Sequence, residues 1–295
     1  MVDVSNKAFG GSWSDEKLDA LRSYLHAYTT ALKKTSFKLA YIDAFAGAGT
    51  RELPPASEDD LFDESLTIDD ANYRHGSPLI ALENEPEFDH FIFIERDAES
   101  IAKLQQEVTI NYPLKADRID FKQGDANELL QELTAKKWNN RRAVAFLDPF
   151  ALHVTWETIE KIARTEAIDM WLLFPAMAVN RMLPRTGEVP PSWASKLTAS
   201  FGSEDWRHFF YQKQAADLFG EEQVSKVPKV FEKLSEFITI RLKTVFPGVN
   251  SKPMILRNST GAPLFLLCFA CGNPKGAKIA LNIAEFIINK KNHGN

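Results

Sequence analysis

Acidic residues lie at the ends of four apolar segments in this sequence, and each could act as a hydrogen-bond acceptor for a ligand. Asp43, Glu95 and Asp148 end three of these segments directly, and Asp125 follows the remaining one after Gly124. A carboxylate accepts hydrogen bonds from ribose hydroxyls and from the exocyclic amine of a purine. A single acid at a strand end is common, since charged residues mark where a strand meets solvent. Four in succession indicate a site for a ligand that contains a nucleoside.

The first of these acids opens a turn of small residues, DAFAGAG, in which Gly47 and Gly49 alternate with alanines. Small residues allow a ligand to approach the main chain and allow the next segment to pack closely. A tight turn without a ligand has the same composition, and the turn alone does not separate the two. Glu52 stands where a dinucleotide-binding Gly-x-Gly-x-x-Gly motif has its third glycine. This departure disfavours NAD and a dehydrogenase.

The spacing of the first two acids fits a ribose-binding site once an irregular insert is set aside. Asp43 and Glu95 are 52 positions apart, and removal of the 27 residues 51–77 leaves 25. In nucleotide-binding folds an acid about 20 positions beyond the glycine turn binds ribose hydroxyls. The insert is acidic, contains proline and has no clear period. We interpret it as a loop or lid at the ligand end of the sheet, or as a partly disordered segment.

Strand-like and helix-like segments alternate over the first 180 residues, which predicts an α/β fold with a mostly parallel sheet. In such a sheet the carboxyl ends of the strands form one edge, where ligands bind. Between residues 181 and 259 the segments become mainly helical, and a strand and a helix close the chain. We therefore predict a Rossmann-like domain formed by residues 1–180 and 260–295. The helical residues 181–259 would form a cap that contacts a substrate or a partner.

Composition limits the functions open to this chain of 295 residues. Hydrophobic residues make up 44%, and 35 Lys and Arg stand against 40 Asp and Glu, which gives a formal charge of −5. This charge argues against non-specific binding of nucleic acid over the whole surface, but not against a local basic face. The sequence has no signal-peptide pattern and no apolar run of about 20 residues, so we expect a cytoplasmic protein.

Cys268 and Cys271 form a Cys-x-x-Cys pair within the apolar segment PLFLLCFAC. Residues three apart on a strand point to opposite faces, so we expect the two thiols to diverge. A second pair of cysteines, which a tetrahedral zinc site would need, is absent from the sequence. We therefore predict buried structural thiols and no metal centre.

Several motifs of this sequence resemble those of known methyltransferases. DAFAGAG resembles the Asp-x-Phe-x-Gly-x-Gly motif of amino-directed methyltransferases that use S-adenosylmethionine, and FLDPF resembles their Asp-Pro-Pro-Tyr/Phe motif with one proline missing. From about Trp13 to Lys290 the chain resembles the three-Cys-motif partner protein family (TcmP), on YIDAFAGAGT, HGSPLIALE, FIFIERD, FLDPFALHVTWETIEKIA, AVNRML and PLFLLCFACGNPKG. The resemblance implies a class I methyltransferase-like fold with S-adenosylmethionine as cofactor. It also implies a partner protein that carries a three-cysteine motif.

The resemblance further implies a role for each candidate residue. The residues of the first turn would face the methionine end of the cofactor, namely Asp43, Phe45, Gly47 and Gly49. Glu95 would bind the ribose hydroxyls and Asp125 the adenine amine. Asp148, Pro149 and Phe150 would line the acceptor side. There the carboxylate accepts a hydrogen bond from the target amine, and the aromatic ring stacks on a flipped base.

Functions from different classes remain open on the sequence. The first is an enzyme that transfers a methyl group from S-adenosylmethionine to a nitrogen, with a nucleobase or nucleic acid as a candidate acceptor. The second is a non-catalytic or cofactor-binding subunit that docks a three-Cys-motif protein, since Asp-Pro-Phe places the ring one residue earlier than the full motif. A nucleotide-binding oxidoreductase is a third, weaker interpretation. Asn180, Arg181 and Arg185 are either phosphate contacts or part of an ordinary surface loop.

Overall fold

The structure is a computed structural model that describes residues 12–49, 76–213 and 224–292. The insert 51–77 identified in the sequence lies outside the described residues, except for Gly76 and Ser77. The helices are α1 (Ser12–Leu32), α2 (Ser77–Leu82), α3 (Ala98–Asn111), α4 (Ala126–Thr134), α5 (Trp156–Arg164), α6 (Ala176–Met182), α7 (Pro191–Phe201), α8 (Trp206–Phe210), α9 (Val230–Lys243) and α10 (Ala277–Asn292), with a 3₁₀ helix at Pro113–Arg118. The strands are β1 (Lys38–Asp43), β2 (His90–Glu95), β3 (Ile119–Gln123), β4 (Arg141–Leu147), β5 (Ile168–Phe174), β6 (Tyr211–Lys213), β7 (Val224–Lys226), β8 (Gly248–Val249), β9 (Met254–Arg257) and β10 (Pro263–Cys271).

One sheet organises the described part of the chain. Its strand order is β3-β2-β1-β4-β5-β10-β8, with β9 also paired to β10. Strands β1 to β5 run parallel to one another, whereas β10 runs antiparallel to β5. Every residue of β5 is buried, as is typical of a parallel strand covered by helices on both faces. The predicted α/β fold, a mostly parallel sheet flanked by helices, is therefore confirmed.

The two faces of the sheet carry separate hydrophobic cores. Side chains of α1, α2, α3 and α10 fill the core on one face, and those of α4 to α9 fill the core on the other. Cys268 belongs to the second core and Cys271 to the first, because successive residues of β10 point to opposite faces. Both thiols are free and buried. The prediction that these thiols diverge is confirmed.

The stretch 181–259 packs on the α4–α9 face of the sheet through aromatic rings. The ring centroid of Phe237 in α9 lies 4.9 Å from that of Phe201 in α7, and both residues belong to the core of that face. Gly202 ends α7 with a φ of 65°, and a Cβ at this position would lie 2.0 Å from Cδ1 of Trp156. Only glycine permits this close approach of α7 to α5.

Local structure differs from the sequence prediction in three places. Helix α6 forms at Ala176–Met182, although the pattern around Asn180 predicts a loop. Tyr211–Lys213 is a strand paired with Val224–Lys226, although the pattern predicts the continuation of a helix. Strands β8 and β9 pair with β10, so the main sheet resumes before residue 260. In each case packing and strand pairing with distant residues override the local pattern.

Helix α1 is fixed on the sheet by a buried polar contact at the amino end of β5. Tyr24 Oη donates a hydrogen bond to Asp169 Oδ2 at 2.7 Å, and Gly272 N–H donates to Asp169 Oδ1 at 3.2 Å. Burial raises the pKa of the Asp169 carboxyl and that of the Tyr24 hydroxyl. Because this contact holds the middle of α1, it also sets where the N-terminal turns of the helix lie at the opposite edge of the sheet.

Candidate functional site

The carboxyl ends of β1 to β4 lie at one edge of the sheet, and the acids predicted from the sequence lie there. The strand registers place Asp43 level with Phe93 of β2 and with Phe146 of β4. The acids that follow these strands therefore come to the same edge, although 105 positions separate the first from the last. They are Asp43, Glu95, Asp125 and Asp148.

The Glu95 carboxylate joins the turn after β1 to the end of β2. Its Oε2 accepts a hydrogen bond from Gly47 N–H at 2.8 Å, and its Oε1 accepts one from Asp97 N–H at 2.9 Å. Each carboxylate oxygen has two lone pairs, so both oxygens can also accept a hydrogen bond from a ribose hydroxyl. Ala46 N–H donates to Ile94 O at 2.9 Å, which fixes the turn against β2. Glu95 is thus held where a ligand lying across the turn would meet it.

The two glycines of this turn have different surroundings. Both have positive φ, 60° at Gly47 and 75° at Gly49, which favours glycine over other residues. A Cβ at Gly47 would meet no atom of the described residues within 4 Å. A Cβ at Gly49 would lie 2.6 Å from Leu104 Cδ1. Gly47 is therefore the point where a ligand can approach the main chain, whereas a Cβ at Gly49 would have to displace the Leu104 side chain of α3.

Asp43 and Phe45 support the turn from the core side. Asp43 has no exposed surface and accepts hydrogen bonds from Tyr41 Oη at 3.0 Å, from Phe45 N–H at 3.3 Å and from the Ser77 hydroxyl. Ser77 has the sequence pattern of an N-cap for α2, but it is the first residue of the helix and Gly76 is the cap. Its hydroxyl bonds to Asp43 instead. Phe45 is half-buried against the core, and contact of Asp43 or Phe45 with a cofactor stays a prediction.

The burial of Asp43 predicts a pH-dependent stability. Burial raises the pKa of this carboxyl to about 7, although the bonds from Ser77 and Tyr41 act to lower it. The folded state then holds a proton that the unfolded state releases, so the free energy of unfolding falls as the pH rises from about 4 to 7. Asp43→Asn keeps a polar group of the same shape but does not ionise. Relative to wild type, its free energy of unfolding should rise by about 2 kcal/mol between pH 5.5 and pH 8 in urea titrations. If the difference in free energy of unfolding between Asp43→Asn and wild type is the same at both pH values, the raised pKa of Asp43 is wrong.

Asp125 is the N-cap of α4. Its Oδ1 accepts hydrogen bonds from Asn127 N–H at 2.9 Å and from Glu128 N–H at 3.3 Å. The preceding Gly124 N–H donates to the backbone oxygen of Glu95 at 3.0 Å, which places this cap beside the end of β2. Capping is a sufficient structural reason for an acid here. The contact of Asp125 with an adenine amine stays a prediction.

The Asp-Pro-Phe motif follows β4 and presents its aromatic ring to solvent. Pro149 is buried, whereas Phe150 is 61% exposed. The loop beyond the ring is held by a residue that the sequence patterns did not reveal, Asn127 at the start of α4. Its Nδ2 donates to His153 O at 2.7 Å, and its Oδ1 accepts from Thr155 N–H at 2.9 Å. Asn127 therefore ties the acceptor-side loop to the helix that follows the third predicted acid.

Asp148 is paired with a lysine that the sequence patterns also did not reveal. Lys17 Nζ lies 2.7 Å from Asp148 Oδ2, and the exposed fractions of the two side chains are 1% and 14%. The same ammonium lies 4.9 Å from the ring centroid of Trp13. Lys17 precedes the buried residues Leu21 and Tyr24 by four and seven positions, the spacing of one helix face. A lysine at a core position of an amphipathic helix is the signal that could have identified it.

Asn180, a candidate phosphate contact in the sequence, has a structural partner. Lys226 Nζ donates to Asn180 O at 2.8 Å, to Asn180 Oδ1 at 2.7 Å and to Leu183 O at 2.7 Å. Lys226 therefore satisfies carbonyl groups at the C-terminal end of α6. Burial, with Arg185 nearby, lowers the pKa of Lys226. A phosphate-binding role for Arg181 and Arg185 stays a prediction.

Neither a metal-binding cluster nor a membrane-spanning helix is found among the described residues. Within residues 12–49, 76–213 and 224–292, no group of three or more His, Cys, Asp or Glu side chains is placed to hold a metal ion. None of the helices in that part of the chain has the length and apolar character needed to span a bilayer. The carboxylates at the sheet edge bond instead to backbone N–H groups, hydroxyls and an ammonium group.

Comparison with known proteins yields similarity of fold. No family model matches this chain, and no curated protein matches it. Among solved structures, the chain is similar to a Legionella pneumophila protein of the DUF519 family, with 16% identity and a TM-score of 0.39 over 81% of this chain and 93% of that one. It is also similar to a Listeria monocytogenes protein described as an S-adenosylmethionine-dependent methyltransferase, with 10% identity and a TM-score of 0.40 over 84% and 97%. A spermidine synthase from Thermotoga maritima shows 11% identity and a TM-score of 0.41 over 89% and 60%.

The fold is Rossmann-like, as its own strand order indicates. The run β3-β2-β1-β4-β5 has the order of the doubly wound nucleotide-binding sheet, and the reversal between β1 and β4 creates the crevice where ligands bind in such sheets. The acids and the glycine turn lie at that crevice. Membership of the TcmP family stays a prediction.

Proposed function

We propose that this chain binds S-adenosylmethionine at the carboxyl edge of the sheet and transfers its methyl group to a nitrogen, with a nucleobase as the acceptor. The observation that carries the proposal is the contact between Glu95 and Gly47, at 2.8 Å. It sets a carboxylate that can accept ribose hydroxyls beside Gly47, where a Cβ would meet no atom of the described residues within 4 Å. A cofactor with a ribose and a slender charged tail fits these residues, with the ribose on Glu95 and the tail over Gly47.

The residues of the chain would act mainly by alignment. When bound, the cofactor supplies an electrophilic methyl group on a sulfonium centre. Transfer to an amine forms a nitrogen–carbon bond, breaks the sulfur–carbon bond and releases one proton from the nitrogen to solvent. Asp148 accepts a hydrogen bond from the amine and orients its lone pair toward the methyl group. The exposed ring of Phe150 offers a face on which an unstacked base can lie.

The distribution of charge favours a polyanionic acceptor. Residues 181–259 contain 12 Lys and Arg against 8 Asp and Glu, a net charge of +4, whereas the rest of the chain contains 23 against 32, a net charge of −9. The positive stretch begins within α6, directly after β5, and therefore starts at the same edge of the sheet as the acceptor motif. A local basic region lets a protein of negative total charge bind a phosphate backbone.

A second candidate function is a subunit that binds the cofactor and serves a partner with a three-cysteine motif. The Asp-Pro-Phe motif favours it, because the Phe150 ring comes one residue earlier than in the full acceptor motif, whereas Glu95 and Gly47 remain free to face a cofactor. The identity of the partner rests on the TcmP resemblance. This candidate predicts cofactor binding without methyl transfer, which separates it from the enzyme.

Two assays test the proposed function. Isothermal titration calorimetry with S-adenosylmethionine, S-adenosylhomocysteine and NAD should show binding of the first two compounds and not of NAD. A second assay follows tritiated methyl groups from S-adenosylmethionine to single-stranded RNA and DNA oligonucleotides that contain all four bases. Labelled oligonucleotides support the enzyme. Cofactor binding without labelling supports the partner subunit, and binding of NAD alone supports an oxidoreductase.

A further inference from the structure

The stability of the fold does not explain why Lys17 is buried. Its side chain is 1% exposed, whereas that of Lys38, which also lies 2.7 Å from an aspartate, is 69% exposed. Removing an ammonium and a carboxylate from water costs several kcal/mol per ion, and well-packed apolar residues in their place are often as stable or more stable. The apolar neighbours of Lys17 on the same helix face, Trp13 and Leu21, would suit such a replacement. The ion pair therefore needs another reason.

The pair lies at the acceptor edge of the site. Asp148 is the first residue of the Asp-Pro-Phe motif, and the exposed Phe150 ring follows two residues later. The Tyr24–Asp169 bond anchors α1 two turns after Lys17. The helix that carries the Lys17 ammonium is therefore fixed on the sheet. Asp43 and the Tyr41 hydroxyl are titratable groups of β1 that lie close enough to Asp148 to interact with it electrostatically.

We infer that Lys17 is a positioning residue of the methyl-acceptor site. Its ammonium, 2.7 Å from Oδ2, orients the Asp148 carboxylate so that it can accept a hydrogen bond from the acceptor amine. The inference rests on the proposed function and deepens it.

The same pairing bears on the class of acceptor. An isolated carboxylate attracts alkylammonium groups, but here the Lys17 ammonium already neutralises Asp148. A second cation would be repelled by Lys17 at this short range. The site therefore suits an uncharged amine conjugated to a ring, such as the exocyclic amine of a nucleobase, better than the protonated amine of a lysine side chain.

The experiment compares Lys17→Met, Lys17→Arg and the control Lys38→Met with wild type. Each protein is tested by thermal unfolding, by calorimetry with S-adenosylmethionine, and by the steady-state kinetics of tritiated methyl transfer to the oligonucleotides. Lys17→Met should lower kcat about 100-fold through a misplaced carboxylate, while the affinity for the cofactor stays unchanged.

The matched variants separate positioning from a structural role. Lys17→Arg retains the cation, so it should recover part of kcat even if its thermal stability falls. Lys38→Met should behave as wild type. A folded Lys17→Met variant with the kcat of wild type would overturn the inference alone. An inactive wild type would instead remove the proposed function, and the inference with it.

Discussion

Replacing Glu95 with Ala should weaken the binding of S-adenosylmethionine about 100-fold. Two ribose hydroxyls would lose a charged acceptor, and hydrogen bonds to charged groups contribute about 1.5–3 kcal/mol each. The variant also removes the acceptor for Gly47 N–H at 2.8 Å, so the turn beneath the cofactor loses its tie to β2. Calorimetric titration of the purified variant measures the effect directly. Glu95→Gln retains one oxygen acceptor, so its affinity for S-adenosylmethionine should lie between those of Glu95→Ala and wild type.

The neighbouring Asp97 supplies the matched control. It lies two residues after Glu95, is exposed, and caps α3 by accepting a hydrogen bond from Ser100 N–H at 2.7 Å. Asp97→Ala should cost about 1 kcal/mol of stability, as the loss of an N-cap does, and leave the affinity for the cofactor unchanged. If Glu95→Ala binds S-adenosylmethionine as tightly as wild type, Glu95 only holds the turn after β1 in place. The proposed function would then lose the observation on which it rests.

The sequence predicted those parts of the molecule that follow from local pattern and a general rule of parallel sheets. The apolar segments that end at Asp43, Glu95 and Asp148 are strands, and their carboxyl ends meet at one edge because parallel strands share a direction. The divergence of Cys268 and Cys271 followed from the two-residue period of a strand. Each of these predictions needed only the direction of a strand and the side to which its residues point.

What the sequence did not reveal depends on contacts between distant segments. Asp43 accepts a hydrogen bond from Ser77, 34 positions away, and Asp148 is paired with Lys17, 131 positions away. No local pattern states that the Ser77 hydroxyl bonds to a carboxylate rather than capping its own helix. The order of the strands and the crossing of α1 over the sheet decide both contacts. Of the two, Lys17 could more easily have been identified from the sequence, because a lysine within an apolar helix face already conflicts with the pattern around it.

Replacing Phe150 with Ala should raise the KM for the oligonucleotide acceptor by about 10- to 100-fold. Stacking of a base on an aromatic side chain contributes about 1–3 kcal/mol by alanine substitution, and this ring is 61% exposed and ready to receive one. Truncation of an exposed ring should change the free energy of unfolding by no more than about 0.5 kcal/mol. The affinity for S-adenosylmethionine should stay that of wild type. Steady-state kinetics of tritiated methyl transfer over a range of oligonucleotide concentrations provide the measurement.

Phe286 in α10 offers the control, because it is 69% exposed and its helix packs on the opposite face of the sheet from α4–α9. Phe286→Ala should leave KM, kcat and cofactor affinity unchanged. Phe150→Trp keeps an aromatic face and should keep KM near that of wild type. If Phe150→Ala also has the KM of wild type, the ring lies too early in the loop to reach a base, which is the consequence of a motif with one proline. The acceptor would then be recognised elsewhere, and the positively charged residues 181–259 become the surface to test.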